Sequence, residues 1–246
     1  LGLNAVVETG KTPNTFRVHY LLLNEPKVSI IIPTKNNKPL LKRCIESLEN
    51  NTNYKNFEII IIDNNTNDSE TLEYYDSLDY EIISYKDPFN FSKMNNLAVT
   101  KAQGDYILCL NDDTKAIDPN WLTEMVSICQ QNDVGIVGAK LLHSNGTIQH
   151  AGAVFLKSGS GFHIFENILE NDEGFFNLHN VIRDLSAVTG ACLLIKKSIF
   201  DKIGGYDDTF DLFYGDGDLC LKTIALGFRV VYTPFARLLH EGSTTI

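Results

Sequence analysis

From residue 28 onward the apolar positions follow two rhythms. Val28-Ser29-Ile30-Ile31-Ile32-Pro33 is a nearly unbroken, β-branched run closed by a proline, as expected of a strand covered on both faces and hence of a parallel sheet. Pro39 to Asn51 instead spaces Leu40, Leu41, Cys44, Ile45 and Leu48 at helical intervals; Asn-rich turn residues follow, then a second strand from Phe57 to Asp63. These pieces predict a βαβ unit. The alternation continues with a helix from about Glu70, a strand over Tyr80–Tyr85, a helix over Ser92–Ala102 and a strand over Tyr106–Leu110. After a helix over Trp121–Gln131 the pattern changes to strand-like stretches at Gly135–His143 and Ile148–Leu156, with a Gly-rich loop at Ser158–Gly161. The remainder predicts a strand over Ala191–Lys196, a short helix over Ser198–Ile203, a helix from about Gly217 to Leu226 and a strand over Arg229–Tyr232. The expectation is α/β: one domain built on a Rossmann-like, doubly wound sheet, parallel in its first half and mixed in its second. Residues 1–26 are less patterned and read as a lead-in to a domain over 27–246, whose two functional halves meet near residue 115.

Composition narrows the partners. The 246 residues carry a formal net charge of −10, which supplies no positive field for DNA or RNA, so nucleic acid is excluded as a partner. A phosphorylated ligand would meet the same acidity and would need a bound cation to mediate its contact. Cys44, Cys109, Cys129, Cys192 and Cys220 are an odd number without CxxC spacing and have mostly apolar neighbours, so they read as buried free thiols. No apolar run approaches the roughly 18 residues that span a bilayer, and the first residues do not resemble a signal peptide. A soluble chain is expected. It begins at Leu1 and stops at Ile246 soon after an apparent site motif, which suggests a domain excised from a longer polypeptide.

In open α/β sheets ligands sit beyond the carboxyl ends of the strands. Three polar clusters stand there: Pro33-Thr34-Lys35-Asn36, Asp63-Asn64-Asn65 and Asn111-Asp112-Asp113-Thr114. Any one of them could be turn or capping chemistry; three in one sheet point to a site. Adjacent residues leaving a strand face opposite sides, so Asp112 and Asp113 are not equivalent ligands: one should hold a metal and the other act elsewhere. Oxygen ligands of this kind suit Mg or Mn. A second acidic cluster, Tyr214-Gly215-Asp216-Gly217-Asp218, precedes an amphipathic helix. Asp218 fits a favourable charge at the helix N-terminus. Asp216, set between two glycines, is the candidate general base. His240 ends the run Arg237-Leu238-Leu239 and is the histidine best placed for a ligand; His143, His150 and His163 lack metal-type spacing and read as surface or loop residues, with His163 the one that could contact substrate.

With these clusters in hand, residues 26 to 246 resemble the inverting glycosyltransferases of family two. The ordered motifs that carry the resemblance are Val28–Thr34, Ile60–Asn65, Gly104–Thr114, Val188-Thr189-Gly190-Ala191-Cys192, Gly204-Gly205-Tyr206-Asp207 and Asp216–Cys220. Pro88–Asn96 and Ser186–Phe200 are more narrowly similar to bacterial O-antigen and surface-polysaccharide enzymes of rhamnosyltransferase type.

The resemblance implies a GT-A fold with a nucleotide-binding half and an acceptor-binding half. It places Pro33, Thr34, Asn36 and Asp63 around the nucleoside, and Lys93 and Asn95 near the base or phosphates. Asp112 would approach the ribose or a metal-bound water. Asp113 and His240 would hold a Mg or Mn cation, and Asp216 would deprotonate the acceptor. It further implies a UDP-, dTDP- or GDP-linked sugar donor and a glycan or lipid-linked saccharide acceptor. The implied place is cytoplasmic, including the inner face of the membrane. Two positions depart from the family pattern: Asn111 stands where an acidic residue is usual, and Gly215 where glutamate is common. The implied reaction is a metal-dependent, inverting transfer in surface-polysaccharide synthesis. The alternatives are a catalytically silent sugar-binding module of a larger assembly protein, which Gly215 keeps open, and a sugar nucleotidyltransferase. The latter usually opens with a Gly-rich basic phosphate loop, and Val28 to Leu40 has no glycine.

Overall fold

A computed structural model describes residues 4–10 and 15–242. The first strands, β1 (Ala5–Thr9) and β2 (Phe16–Tyr20), form an antiparallel hairpin. The predicted βαβ alternation follows as β3 (Val28–Thr34), α1 (Lys38–Asn50), β4 (Phe57–Asp63), α2 (Ser69–Tyr75), β5 (Glu81–Ser84), α3 (Phe91–Val99) and β6 (Tyr106–Leu110). Next come β7 (Thr114–Ala116), α4 (Trp121–Cys129), β8 (Val134–Leu142), β9 (Ile148–His150), β10 (Ala153–Phe155), β11 (Gly161–His163) and β12 (Arg183–Asp184). The chain closes with β13 (Cys192–Lys196), α5 (Lys197–Ile203), α6 (Gly215–Ala225) and β14 (Arg229–His240).

One sheet organises the molecule, in the order β12-β14-β8-β13-β6-β3-β4-β5, with β7 beside β14 and β9 beside β8. β6, β3, β4 and β5 are parallel. β13 runs antiparallel between β6 and β8, which makes the second half mixed. Ile30, Ile31 and Ile32 of β3 are fully buried, because helices cover both faces of the parallel part. Burying each such side chain contributes about 1.5–3 kcal/mol, so this central strand anchors the two apolar layers that lie on either side of it.

Two of the expected strands differ in extent, and β1, β2, β7, β11 and β12 were not expected. The stretch expected as one strand over Ile148–Leu156 breaks into β9 and β10 at Gly152, whose φ of 99° lies in the left-handed region that glycine adopts without strain. The last strand was expected to stop at Tyr232 but continues to His240. A register shift between Tyr232 and Arg237 absorbs Pro234, which has no N–H to give to a regular ladder. That continuation carries His240 back to β7, where it pairs with Thr114. All five cysteines are buried and free. No helix among the described residues is long and apolar enough to cross a membrane.

Candidate active site

The carboxyl ends of β3, β4 and β6 open onto a cavity of about 390 Å³, in the range typical of small-molecule sites. Pro33, Thr34, Asn64, Asp112, Asp113 and Asp216 are on its wall. Polar residues from both halves of the chain thus meet in one space.

Asp112 and Asp113 diverge within the turn that joins β6 to β7, which is closed by the Thr114 N–H donating to the Asn111 carbonyl. Asp112 turns toward β3 and accepts a hydrogen bond of 2.7 Å from the Thr34 hydroxyl. Burial raises the Asp112 carboxyl to about 6; the Thr34 bond works against the rise and the neighbouring Asp113 charge adds to it. Asp113 turns toward the chain end. Its Oδ1 lies 3.0 Å from His240 Nε2, and its Oδ2 accepts 3.0 Å from the Gly242 N–H. Asn111 Nδ2 also stands 3.3 Å from His240 Nε2, so the residue in the usually acidic position contacts the histidine through an amide. Arg43 pairs with Glu241 beside them and ties α1 to the last strand.

A divalent cation fits this pair. Adjacent ligands of an octahedral ion with bonds near 2.1 Å lie about 3.0 Å apart, the separation found between Asp113 Oδ1 and His240 Nε2. Carboxylate and imidazole are acceptable donors for Mn or Mg. Among the described residues no group of three or more His, Cys, Asp or Glu side chains is arranged to hold a metal, so water and substrate oxygens would have to complete the shell.

Asp216 sits in the first turn of α6. Its Oδ2 accepts 2.8 Å from the Gly190 N–H and its Oδ1 accepts 2.8 Å from the Gly217 N–H. The helix starts after Tyr214, a non-glycine residue at φ 68°, a costly conformation of the kind that gathers at functional sites. Gly215 has a packing reason: a Cβ there would come within 2.9 Å of Ser92 Oγ, which is already engaged with the Phe210 carbonyl at 2.6 Å.

The other expected residues are distributed unevenly. Asp63 lies beside Thr34 in register, but its carboxylate is taken up by the Thr66 N–H at 3.2 Å and the Tyr75 hydroxyl at 3.0 Å. Asn36, at φ 48°, caps the 65–68 turn by accepting from the Asn67 and Asp68 N–H groups and stands off the cavity wall. Lys93 and Asn95 do not line the cavity. Helix α3 presents Phe91 and Met94 to it, one turn apart, which leaves Lys93 pointing to solvent and Asn95 buried with its amide donating 2.8 Å to the Phe91 carbonyl. The motif around them is a strap. Asn90 Nδ2 donates to Asp208 O, Ser92 to Phe210 O and Asn96 Nδ2 to Tyr206 O, at 2.9, 2.6 and 2.9 Å, and these bonds fix the loop that leads into Asp216. His150, expected on the surface, is wholly buried, because β9 pairs with β8 on one edge and bonds the 167–168 backbone on the other. His163 is exposed and touches His150 rather than the cavity. Sequence reasoning gave no role to Phe89, Phe91, Met94 and Leu212 on the cavity wall; the first three lie in the Pro88–Asn96 motif, and Leu212 carries no signal beyond hydrophobicity.

Fold and site together define an α/β domain with an acidic cavity at the carboxyl ends of its parallel strands. The Glycosyl transferase family 2 model matches residues 29–204, and the chain belongs to that family. It is 38% identical over 250 residues to the uncharacterized protein y4gI of Sinorhizobium fredii, covering 99% of this chain and 28% of that one. It is 37% identical over 241 residues to the O-antigen biosynthesis protein RfbC of Myxococcus xanthus, covering 96% of this chain and 19% of that one. The chain therefore spans less than a third of the length of these relatives. Among solved structures it resembles GalNAc-T7 with UDP, GalNAc and Mn2+, at a TM-score of 0.74 and 17% identity over 91% of this chain and 45% of that one. The fold is GT-A, as expected, with a mixed central sheet.

Proposed function

We propose that the domain transfers a sugar from a nucleoside diphosphate sugar to a hydroxyl of a glycan or lipid-linked saccharide, with inversion at the anomeric carbon. The observation that carries this reading is that Asp113, with His240 behind it, and Asp216 belong to one cavity, a metal-type pair and a separate carboxylate. Thr34, Pro33 and Asn64 form the nucleoside side of that cavity, with Asp112 reaching toward the ribose; Asp63, whose carboxylate already accepts from Thr66 and Tyr75, fixes the turn beside them.

Asp113 and His240 would hold a Mg or Mn ion, which would supply charge stabilisation to a departing diphosphate. Asp216 accepts the proton of the acceptor hydroxyl as that oxygen bonds to the anomeric carbon, and the electron pair of the broken bond leaves on the diphosphate. General-base help of this kind supplies about 10²- to 10⁴-fold, so orientation within the cavity supplies much of the rest. The likeness to the O-antigen biosynthesis protein supports a surface-polysaccharide acceptor, and the Mn2+ and UDP of the GalNAc-T7 structure support a metal and a nucleotide donor.

The test is a screen of UDP-, dTDP- and GDP-sugars with Mn or Mg and oligosaccharide or lipid-linked acceptors, read as nucleoside diphosphate release. Metal-dependent release with one donor class is expected. Absence of release across all donors, with acceptors present, would overturn the proposal in favour of a binding module.

A further inference from the structure

The reading of Asp216 as base leaves a question of what aims it. One of its two anchors, the Gly217 N–H, belongs to its own helix. The other, the Gly190 N–H, belongs to the loop before β13, so the carboxylate is only as fixed as that loop. Within the loop the local bonds are long: Ala191 N to Thr189 Oγ1 and Cys192 N to Thr189 O are both 3.4 Å. The support at Thr189 comes from outside. His150 Nε2 stands 3.2 Å from the Thr189 N–H and accepts from it, one residue before the N–H that holds Asp216.

The imidazole is built for that task. His150 is wholly buried on β9 and pinned by pairing with Leu141 of β8. Its neighbour segment is clamped to the same loop by Ala153 N donating to Ala187 O at 2.8 Å and Ala187 N donating to Ala153 O at 3.2 Å. An acceptor at Nε2 requires the neutral ring to carry its proton on Nδ1, which faces His163 Nδ1 at 3.4 Å with the two rings nearly perpendicular. Burial keeps the ring neutral by lowering its proton affinity well below the ordinary histidine value.

Resting on the assignment of Asp216 as base, we infer that His150 is a positioning residue for the transfer reaction, holding the Thr189–Gly190 backbone so that the Gly190 N–H aims the Asp216 carboxylate. A histidine that merely fills the core would need only its volume; this one needs an acceptor atom at the Nε2 position.

Side-chain reach separates the two roles. The Gln oxygen in His150→Gln can occupy the Nε2 position, whereas the shorter amide of His150→Asn cannot, and His150→Leu keeps bulk without an acceptor. Steady-state kinetics are measured with the nucleotide-sugar that releases diphosphate fastest in the screen above, and affinity for the matching nucleoside diphosphate with Mn2+ is measured by calorimetry. His150→Asn and His150→Leu are expected to lower kcat at least tenfold with donor KM and diphosphate affinity within about twofold of wild type, and His150→Gln to restore kcat to within about threefold. The inference is overturned if Gln is no better than Asn, or if KM and affinity deteriorate along with kcat; the Asn and Gln pair decides the matter even if the Leu variant does not fold. Asp216→Asn is run alongside. Should it lose turnover while His150→Asn keeps it, only the inference about His150 fails; should Asp216→Asn keep turnover, the base assignment fails and this inference with it.

Discussion

Asp112 and Asp113 are chemically identical neighbours that the strand end sends in opposite directions, one to the Thr34 hydroxyl and one to His240. Their variants should therefore behave differently. Asp113→Ala removes the carboxylate that pairs with His240, so Mn2+ should no longer strengthen binding of the nucleoside diphosphate; calorimetry with and without Mn2+ checks this, and an undiminished metal effect would sink the assignment. Thr34→Val leaves buried Asp112 without its hydroxyl donor. Loss of one hydrogen bond to a buried carboxylate costs about 1–3 kcal/mol, to be read as a lower urea midpoint at unchanged slope. Asp216→Asn should retain diphosphate affinity and lose turnover by about 10²- to 10⁴-fold. Strand alternation was the expected reason for the divergence of the aspartates; the turn from Asn111 to Thr114 is the actual one. That His240 meets Asp113 was implied by the family resemblance and not by the patterning, because it depends on a strand running eight residues past Tyr232, around a proline that ordinarily ends one.

At the scale of elements, the expected strands and helices of the first half agree with the structure to within a residue or two at most ends, since a parallel sheet writes its burial as continuous apolar runs such as Ile59–Ile62. Lys93 and Asn95 show where that reading stops. The family resemblance implied ligands at Lys93 and Asn95 on α3, but a helix has more than one polar neighbour, and here the neighbour of Asn90, Ser92 and Asn96 is the 206–211 loop. Their side chains satisfy backbone groups that would otherwise be stranded, a role that nothing in their spacing distinguishes from substrate contact. The same coupling of element to site appears across β8. A Cβ on Gly138 would fall 2.4 Å from Val188 Cβ, immediately before the Thr189–Gly190 pair that supports Asp216. Gly138→Ala should therefore overpack the contact, costing about 1–3 kcal/mol and lowering kcat more than donor affinity. Thermal unfolding together with the kcat and KM split checks it; a variant with wild-type melting and kinetics would show that the loop yields freely.

For the molecule as a whole, the buried titratable groups set a pH dependence whose sign follows from where each proton binds. His150 and His179 have proton affinities lowered chiefly by burial, from an ordinary value of 6.5. As pH falls through 6.5 their unfolded forms take up protons that the folded forms refuse, so stability is lost. Asp112 acts oppositely: its folded value of about 6 exceeds the ordinary 3.8, so between those pH values the folded state binds the proton and gains. Two histidines against one carboxyl make the net trend between pH 7 and 5 a loss, and each unmatched proton contributes at most about 1.4 kcal/mol per pH unit. His163 and His240 are the charges that bear on His150, and both repel a proton placed there, which reinforces the sign. His150→Gln removes one of the two opposing histidines while keeping an acceptor for Thr189. Its urea midpoint should vary less between pH 7 and 5 than that of the wild type, and the wild type should lose stability relative to the variant as pH falls below 6.5. Parallel pH curves for the two proteins would mean that His150 takes up its proton in the folded state at its ordinary value, and that the buried seat beside Thr189 opens to water far more readily than its hydrogen bonds imply.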